Sequence, residues 1–265
     1  MVKKVMVFAP HPDDAEFYAG GTLAKMIAEG DKVVIVVATD GSKGSFEHAG
    51  DDLAALRRSE ALQAAKVLGA EPPIFLGYRD FELDKLPAGQ LREQFIRLIR
   101  QQQPDVVFAE DAFASGEVHP DHRIVAWAAS DAINYATLPL LHPEYLAQGL
   151  EPHFVVEKYF FSDNLTDANK VVDISETFEH KIAALAEHKS QIKFLVEGIF
   201  NESRLAGIDL AGLLGEAASN HLMAFTWAMQ TQAVQVGQKA GFTYGEAFRY
   251  VRFHPFVENI LAIQS

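Results

Sequence analysis

The chain has 265 residues, 49% of them hydrophobic and 22% charged, with a formal net charge of −13 and no cysteine. The acidic balance argues against nucleic acid or an anionic membrane as partner, because both require a basic face. The lack of cysteine removes disulfides, thiol catalysis and thiolate ligation together, so any metal must be held by histidine and carboxylate. The length suffices to bury a core without cross-links. No apolar run reaches the roughly 20 residues of a membrane span. The start, Met1-Val2-Lys3-Lys4, runs into a strand-like segment without a signal-type apolar core, so cytoplasm is the expected location.

In chain order, Lys3 to Ala9 is a short apolar run dominated by β-branched residues and reads as a strand. Pro10-His11-Pro12-Asp13-Asp14-Ala15-Glu16 follows it as a loop, and Gly20 to Gly30 has helical spacing with a glycine stop. Lys32 to Ala38 is almost pure Val and Ile, the mark of a strand buried on both faces of a parallel sheet, and ends in the turn Thr39-Asp40-Gly41. Leu53 to Leu68 is an amphipathic helix closed by Gly69, Pro73 to Gly77 a short strand, and Leu91 to Gln103 a helix ended by Pro104. Val106 to Ala109 supplies the next strand, His119-Pro120-Asp121-His122 the next cluster, and Ile124 to Tyr135 the next helix. Leu138 to Pro152 reads as a loop, Val155 to Ser162 and Lys170 to Ile174 as β segments, and the chain from Phe178 onward as mostly helical.

Strands alternating with helices predict right-handed crossovers and an α/β, Rossmann-like, doubly wound and mainly parallel sheet with helices on both faces. Residues 1–265 read as a single domain, with 178–265 a helical extension packed on it rather than an independent unit. Ligands of such sheets bind beyond the carboxyl ends of the strands, and both His/Asp clusters fall there.

A catalytic zinc takes three N or O ligands and keeps one position open. His11, Asp14 and one later histidine meet that count: residues i and i+3 share a side of a turn or nascent helix, so His11 and Asp14 chelate together and Asp13 is left to act as a base. The same spacing lets His119 and His122 both face the site, one ligating and one near the substrate, without saying which. Asp121 is placed to orient the non-ligating imidazole from behind. A water activated by such a centre, with a carboxylate to take its proton, is hydrolytic machinery. By composition alone Arg57 is a solvated-face residue. Gly20-Gly21-Thr22 lacks the further glycine of a dinucleotide loop and reads as close packing, and Thr39-Asp40-Gly41 as a structural turn. His48, His142, His153, His180, His188, His221 and His254 lack a carboxylate at ligand spacing and read as surface or core.

The segments PHPDDAE with GGTL (10 to 23), TDGSKG (39 to 44), RRSE…AAKVLG (57 to 69) and HPDHR (119 to 123) together resemble the PIG-L / LmbE-like deacetylase superfamily. The likeness continues through HKSQ (188 to 191) and YGEAFR (244 to 249). The resemblance implies a Rossmann-like fold and removal of acetyl groups from N-acetylglucosamine units. By position it implies that His11, Asp14 and His122 bind Zn2+ or another divalent metal, that Asp13 is the general base, and that His119 polarises the carbonyl or shuttles a proton. It places a substrate-contacting arginine on Arg57, with Glu60 fixing the register. The expected ligand is a small N-acetylated sugar, with neither nucleic acid nor membrane as partner. Phe46 to Asp52, Tyr78 to Leu86 and Tyr135 to Pro152 are expected to shape the pocket, and the apolar tail Phe178 to Gly237 is a candidate for contacts within a homo-oligomer. Competing readings are a metal hydrolase of another amide or ester and a non-catalytic sugar-binding relative.

Overall fold

In the computed structural model, which describes residues 2–48, 50–253 and 255–264, one seven-stranded sheet carries the chain in the order β3-β2-β1-β4-β5-β7-β6. The strands are β1 (Lys4–Ala9), β2 (Lys32–Thr39), β3 (Ile74–Tyr78), β4 (Val106–Glu110), β5 (Glu157–Phe161), β6 (Lys170–Asp173) and β7 (Gly245–Val251). The first five run parallel, while β7 lies antiparallel between β5 and β6. Alternate residues of the apolar runs feed two separate cores. Met6, Phe8, Val36 and Val107 face one side with α3 (Gln90–Gln102) and α4 (Pro120–Tyr135). Val5, Val7, Ile35 and Phe108 face the other with α1 (Asp14–Ala28), α2 (Gly50–Leu68) and α5 (Phe178–Leu185). Burial on both faces is why these strands are nearly unbroken Val, Ile and Phe.

The chain winds outward from β1 through β2 to β3, then crosses back to β4 and β5. This reversal opens a crevice between the carboxyl ends of β1 and β4, the place where doubly wound folds take their ligands. Both helices that follow these strands begin earlier than their periodicity predicts. α1 starts at Asp14 and α4 at Pro120, so Asp14 and His122 sit in first helical turns rather than in loops. Acidic residues in those turns, Asp14, Glu16 and Asp121, suit the positive end of the helix dipole.

The C-terminal part is helical, with α6 (Lys189–Leu205), α7 (Leu210–Leu214), α8 (His221–Gln238) and α9 (Pro255–Gln264), except for β7, which the expectation of a helical tail missed. Gly245, Glu246 and Ala247 have low strand propensity, and the pairing with β5 and β6 overrides it. Among the described residues no helix is long and apolar enough to cross a membrane.

Two glycines in the middle of α1 let a neighbour approach. A Cβ on Gly21 would stand 2.8 Å from Ile174 and one on Gly20 would stand 3.0 Å from Lys181, which bears out close packing as the meaning of Gly20-Gly21-Thr22. At this point the buried Glu246 carboxylate accepts from Gly21 N (3.0 Å), Thr22 N (2.8 Å), Thr22 Oγ1 (2.6 Å) and Lys181 Nζ (2.7 Å). Removing one partner of a buried pair strands the other charge, at about 3–5 kcal/mol. Lys181→Met is therefore expected to lower the unfolding free energy from chemical denaturation by an amount on that scale; an unchanged value would show that the pair contributes nothing net.

Candidate active site

The crevice holds a cavity of about 400 Å³ lined by His11, Asp13, Asp14, Arg57, Asp80, Phe81, His119, His122, Asp163 and Phe194, among others. The cluster after β1 and the cluster after β4 thus meet. His11 Nδ1, His122 Nε2 and Asp14 Oδ2 form a triangle with edges of 3.1, 3.4 and 3.7 Å. A tetrahedral ion bonded at about 2.1 Å sets its ligand atoms about 3.4 Å apart, so this donor set fits a single ion. Three further groups around the site also gather donors: His11 with His119 and His122, His11 with Asp80, His119 and Asp121, and His122 with Glu110 and Glu117.

Each triangle histidine is backed by a carboxylate at its outer nitrogen. His11 Nε2 lies 3.1 Å from Asp80 Oδ1, and His122 Nδ1 lies 2.9 Å from Glu110 Oε2, close but off the hydrogen-bond line. Such partners fix the tautomer and turn the inner nitrogen toward a metal. Burial pulls His11 down, but Asp121, Asp14 and Asp80 outweigh it and hold the ring well above its ordinary value. His122 is likewise pulled down by burial and pushed up to about 9 by Asp14 and Glu110. Burial raises Asp14, yet His122 and His11 hold it far below the carboxylate range. Glu110 is pushed up to about 7, chiefly by burial.

Asp80 and Glu110 were not singled out from sequence. A signal existed: Glu110 is the last residue of β4 and Asp80 closely follows β3, at carboxyl ends on the same rim. Asp80 also accepts from Lys43 N at 2.9 Å, while its own N–H donates to Asp40 Oδ1 at 3.1 Å. Asp40 further accepts from Ser42 N at 3.0 Å, so the Thr39-Asp40-Gly41 turn is a brace for the Asp80 segment.

Asp13 occupies an uncommon backbone conformation, φ 156° and ψ −24°, of a kind that costs about 1–3 kcal/mol and persists where surroundings impose it. Its Oδ1 accepts from Arg57 Nη2 at 3.0 Å. Burial raises its carboxyl above the ordinary value, against the pull of Arg57. Arg57, read by composition as a solvated residue, is instead 3% exposed and donates to Gly41 O (3.0 Å) and Pro12 O (3.4 Å) besides Asp13. A Cβ on Gly41 would lie 2.3 Å from that guanidinium, and the residue has φ 61°, so glycine is required twice over.

His119 is the N-cap of α4, with Pro120 at the first helical position, and its Nδ1 accepts from Asp121 N at 3.2 Å. A neutral ring held this way carries its proton on Nε2. Burial, with the nearby His11 and His122, brings it down to about 4, so the neutral form prevails near pH 7. The hydrogen bond from Asp121 to this ring is made by its backbone, with the carboxylate nearby. That carboxylate accepts from Phe81 N (2.7 Å) and Leu83 N (3.3 Å) and stands 3.7 Å from His11 Nε2, so it also braces the loop and a second histidine. Phe81 itself has φ 59° and is 48% exposed, a bulky residue in the left-handed region at the cavity wall.

The remaining histidines divide. His153 and His180 meet the Pro104 and Val67 carbonyls at 2.7 Å. His188 is buried with Glu16 at 3.7 Å, and His221 stands 3.8 Å from Glu197. His48 is exposed, and His254 lies outside the described residues. His142 has Glu144, two residues on, at 3.3 Å and Glu93, brought near by the fold, at 3.8 Å.

Residues 6–133 match the model of the family described as PIG-L, GlcNAc-PI de-N-acetylase. The diacetylchitobiose deacetylase of Thermococcus kodakarensis is 35% identical over 192 residues, 72% of this chain and 70% of that protein. A 1D-myo-inositol 2-acetamido-2-deoxy-alpha-D-glucopyranoside deacetylase of Mycobacterium sp. (strain KMS) is 26% identical over 242 residues, 75% of this chain and 77% of that one. Among solved structures, the N,N'-diacetylchitobiose deacetylase of Pyrococcus horikoshii superposes with a TM-score of 0.77 at 30% identity, covering 97% of this chain and 88% of that one. On motif, fold and relatives together, the chain belongs to the PIG-L family of deacetylases.

Proposed function

We propose that this protein is a metal-dependent hydrolase that removes the acetyl group from an N-acetylglucosamine-type small molecule, giving acetate and a free amine. The observation that carries the reading is the His11, Asp14, His122 triangle, sized for one ion, in the same cavity as Asp13 and His119. Zinc suits the donor set, two imidazoles and a carboxylate with room for a further ligand. Once bound, it would supply Lewis acidity to the acetamide carbonyl and to the attacking water.

The chain's own residues then divide the work. Asp13, outside the triangle, accepts the proton of the attacking water, and its burial-raised carboxyl makes it a better base near neutral pH. Arg57 holds Oδ1 of Asp13, so its role is positioning as much as substrate contact. His119 offers Nε2–H to the carbonyl oxygen as that atom gains charge. Asp13 or His119 returns a proton to the departing nitrogen. We also read residues 1–265 as one domain, a reading supported by β7, which ties the C-terminal part into the sheet between β5 and β6.

Acetate release measured across a panel of N-acetylglucosaminides, with and without chelator, tests the function. Release that chelator abolishes and zinc restores is expected; turnover of peptides or phosphoesters with none of the sugars would overturn it. Asp13→Asn is expected to keep one zinc per chain while losing about 10²- to 10⁴-fold in turnover. Loss of the metal in elemental analysis would make Asp13 a ligand. Asp80→Ala and Glu110→Ala should each weaken zinc binding about 10- to 100-fold by competition with a chelating dye; unchanged affinity would remove both from the account. Because metal must displace protons from rings that the carboxylates hold high, affinity should climb as pH rises toward about 9, where His122 loses its proton. Calorimetric titrations in buffers of different ionisation enthalpy would then register proton release, and affinity independent of pH would contradict the assignment.

A further inference from the structure

We propose that Phe81 is a substrate-stacking residue, whose ring takes the apolar face of an uncharged pyranose at the mouth of the cavity. This rests on the deacetylase reading above and adds what that reading leaves open, the character of the group next to the acetamide.

Phe81 is half-exposed at the cavity wall, in a left-handed backbone conformation that a bulky residue adopts rarely. The conformation is over-determined from both sides. Phe81 N donates to Asp121 Oδ2 at 2.7 Å, and the preceding Asp80 is fixed by His11, Lys43 N and Asp40. The same contacts that orient His11 therefore pin this ring in the open. The ring packs against His119, centroid to centroid 4.1 Å with the planes 57° apart, so a sugar on its remaining surface also lies beside the proposed oxyanion donor. The cavity lining also includes Phe194, packed against Phe46 at 4.8 Å. The C–H face of a pyranose is apolar and slightly positive, and it suits the negative face of an aromatic ring.

The charges favour an uncharged ring. Outside the metal triangle, the lysine and the arginine of the lining are engaged: Arg57 with Asp13 and two carbonyls, and Lys43 with the Asp80 carbonyl and Glu82. Asp13, Asp14, Asp80 and Asp163 line the same space. Beyond the metal triangle, an anionic aglycone would meet Asp80 and Asp163 with neither Lys43 nor Arg57 unengaged.

The test uses the zinc-loaded full chain with N-acetylglucosamine, a neutral N-acetylated disaccharide and a carboxylate-bearing N-acetylglucosaminide. Phe81→Leu keeps bulk against His119 and removes the ring; KM for the disaccharide should rise about tenfold with kcat little changed. Phe81→Trp should restore KM, and its fluorescence should change when the sugar is added. An unmoved KM, a fall in kcat with KM intact, or no rescue by Phe81→Trp would overturn the proposal and leave the ring a prop for His119. A carboxylate-bearing glycoside used as well as the neutral one would overturn the uncharged pyranose. If the wild type releases no acetate from any of the three, the deacetylase reading fails; calorimetry with the disaccharide still decides the stacking, supported by weaker binding to Phe81→Leu and overturned by equal binding.

Discussion

Two imidazole nitrogens, His11 Nδ1 and His122 Nε2, are held 3.1 Å apart where little solvent reaches them. Two lone pairs at that distance repel unless a proton or a cation lies between them, and the surrounding acids supply the field that makes a cation favourable. Asp14 completes the triangle, while Asp80 and Glu110 stand behind the two rings. The constraint that sets the distance is the sheet. At the reversal between β1 and β4 two strand ends lie side by side and the helices that follow them, α1 and α4, pack on opposite faces of the sheet.

The motif segments that lie far apart in the chain hold one another. Glu60 of the RRSE stretch accepts from Ser190 N at 2.9 Å and Ser190 Oγ at 2.6 Å, in the HKSQ stretch. Gln191 donates to Gly44 O at 2.9 Å, at the end of TDGSKG. Glu246 of YGEAFR caps the backbone at GGTL, and Arg249 of the same strand pairs with Asp111, next to Glu110, at 2.5 and 2.9 Å. These bonds tie β7 to α1 and to the residue after β4, and the start of α6 to α2 and the loop after β2.

Much of this was legible in the residues. Strands buried on both faces leave continuous apolar runs, so β1, β2 and β4 could be read directly, and the His/Asp clusters stood out because ligand types crowd within a helical turn. The helix starts at Asp14 and Pro120 were hidden, since Pro and Gly blur the apolar period that reveals a helix. β7 was hidden because its first residues are poor strand formers whose conformation is imposed by neighbours distant in sequence. Asp80 and Glu110 were missed because a lone acid at a strand end looks like any turn acid until a histidine is placed beside it. Arg57 was misjudged on composition for the same reason: an Ala- and Leu-rich helix does not reveal what its one buried cation faces.

The most direct measurement is an anomalous difference map from crystals of the zinc-loaded protein. The account requires one zinc within about 2.0–2.2 Å of His11 Nδ1, Asp14 and His122 Nε2, with Asp13 and His119 outside bonding distance. A zinc bonded to His119 or Asp13, or seated instead between Asp80 and Asp121, would contradict it.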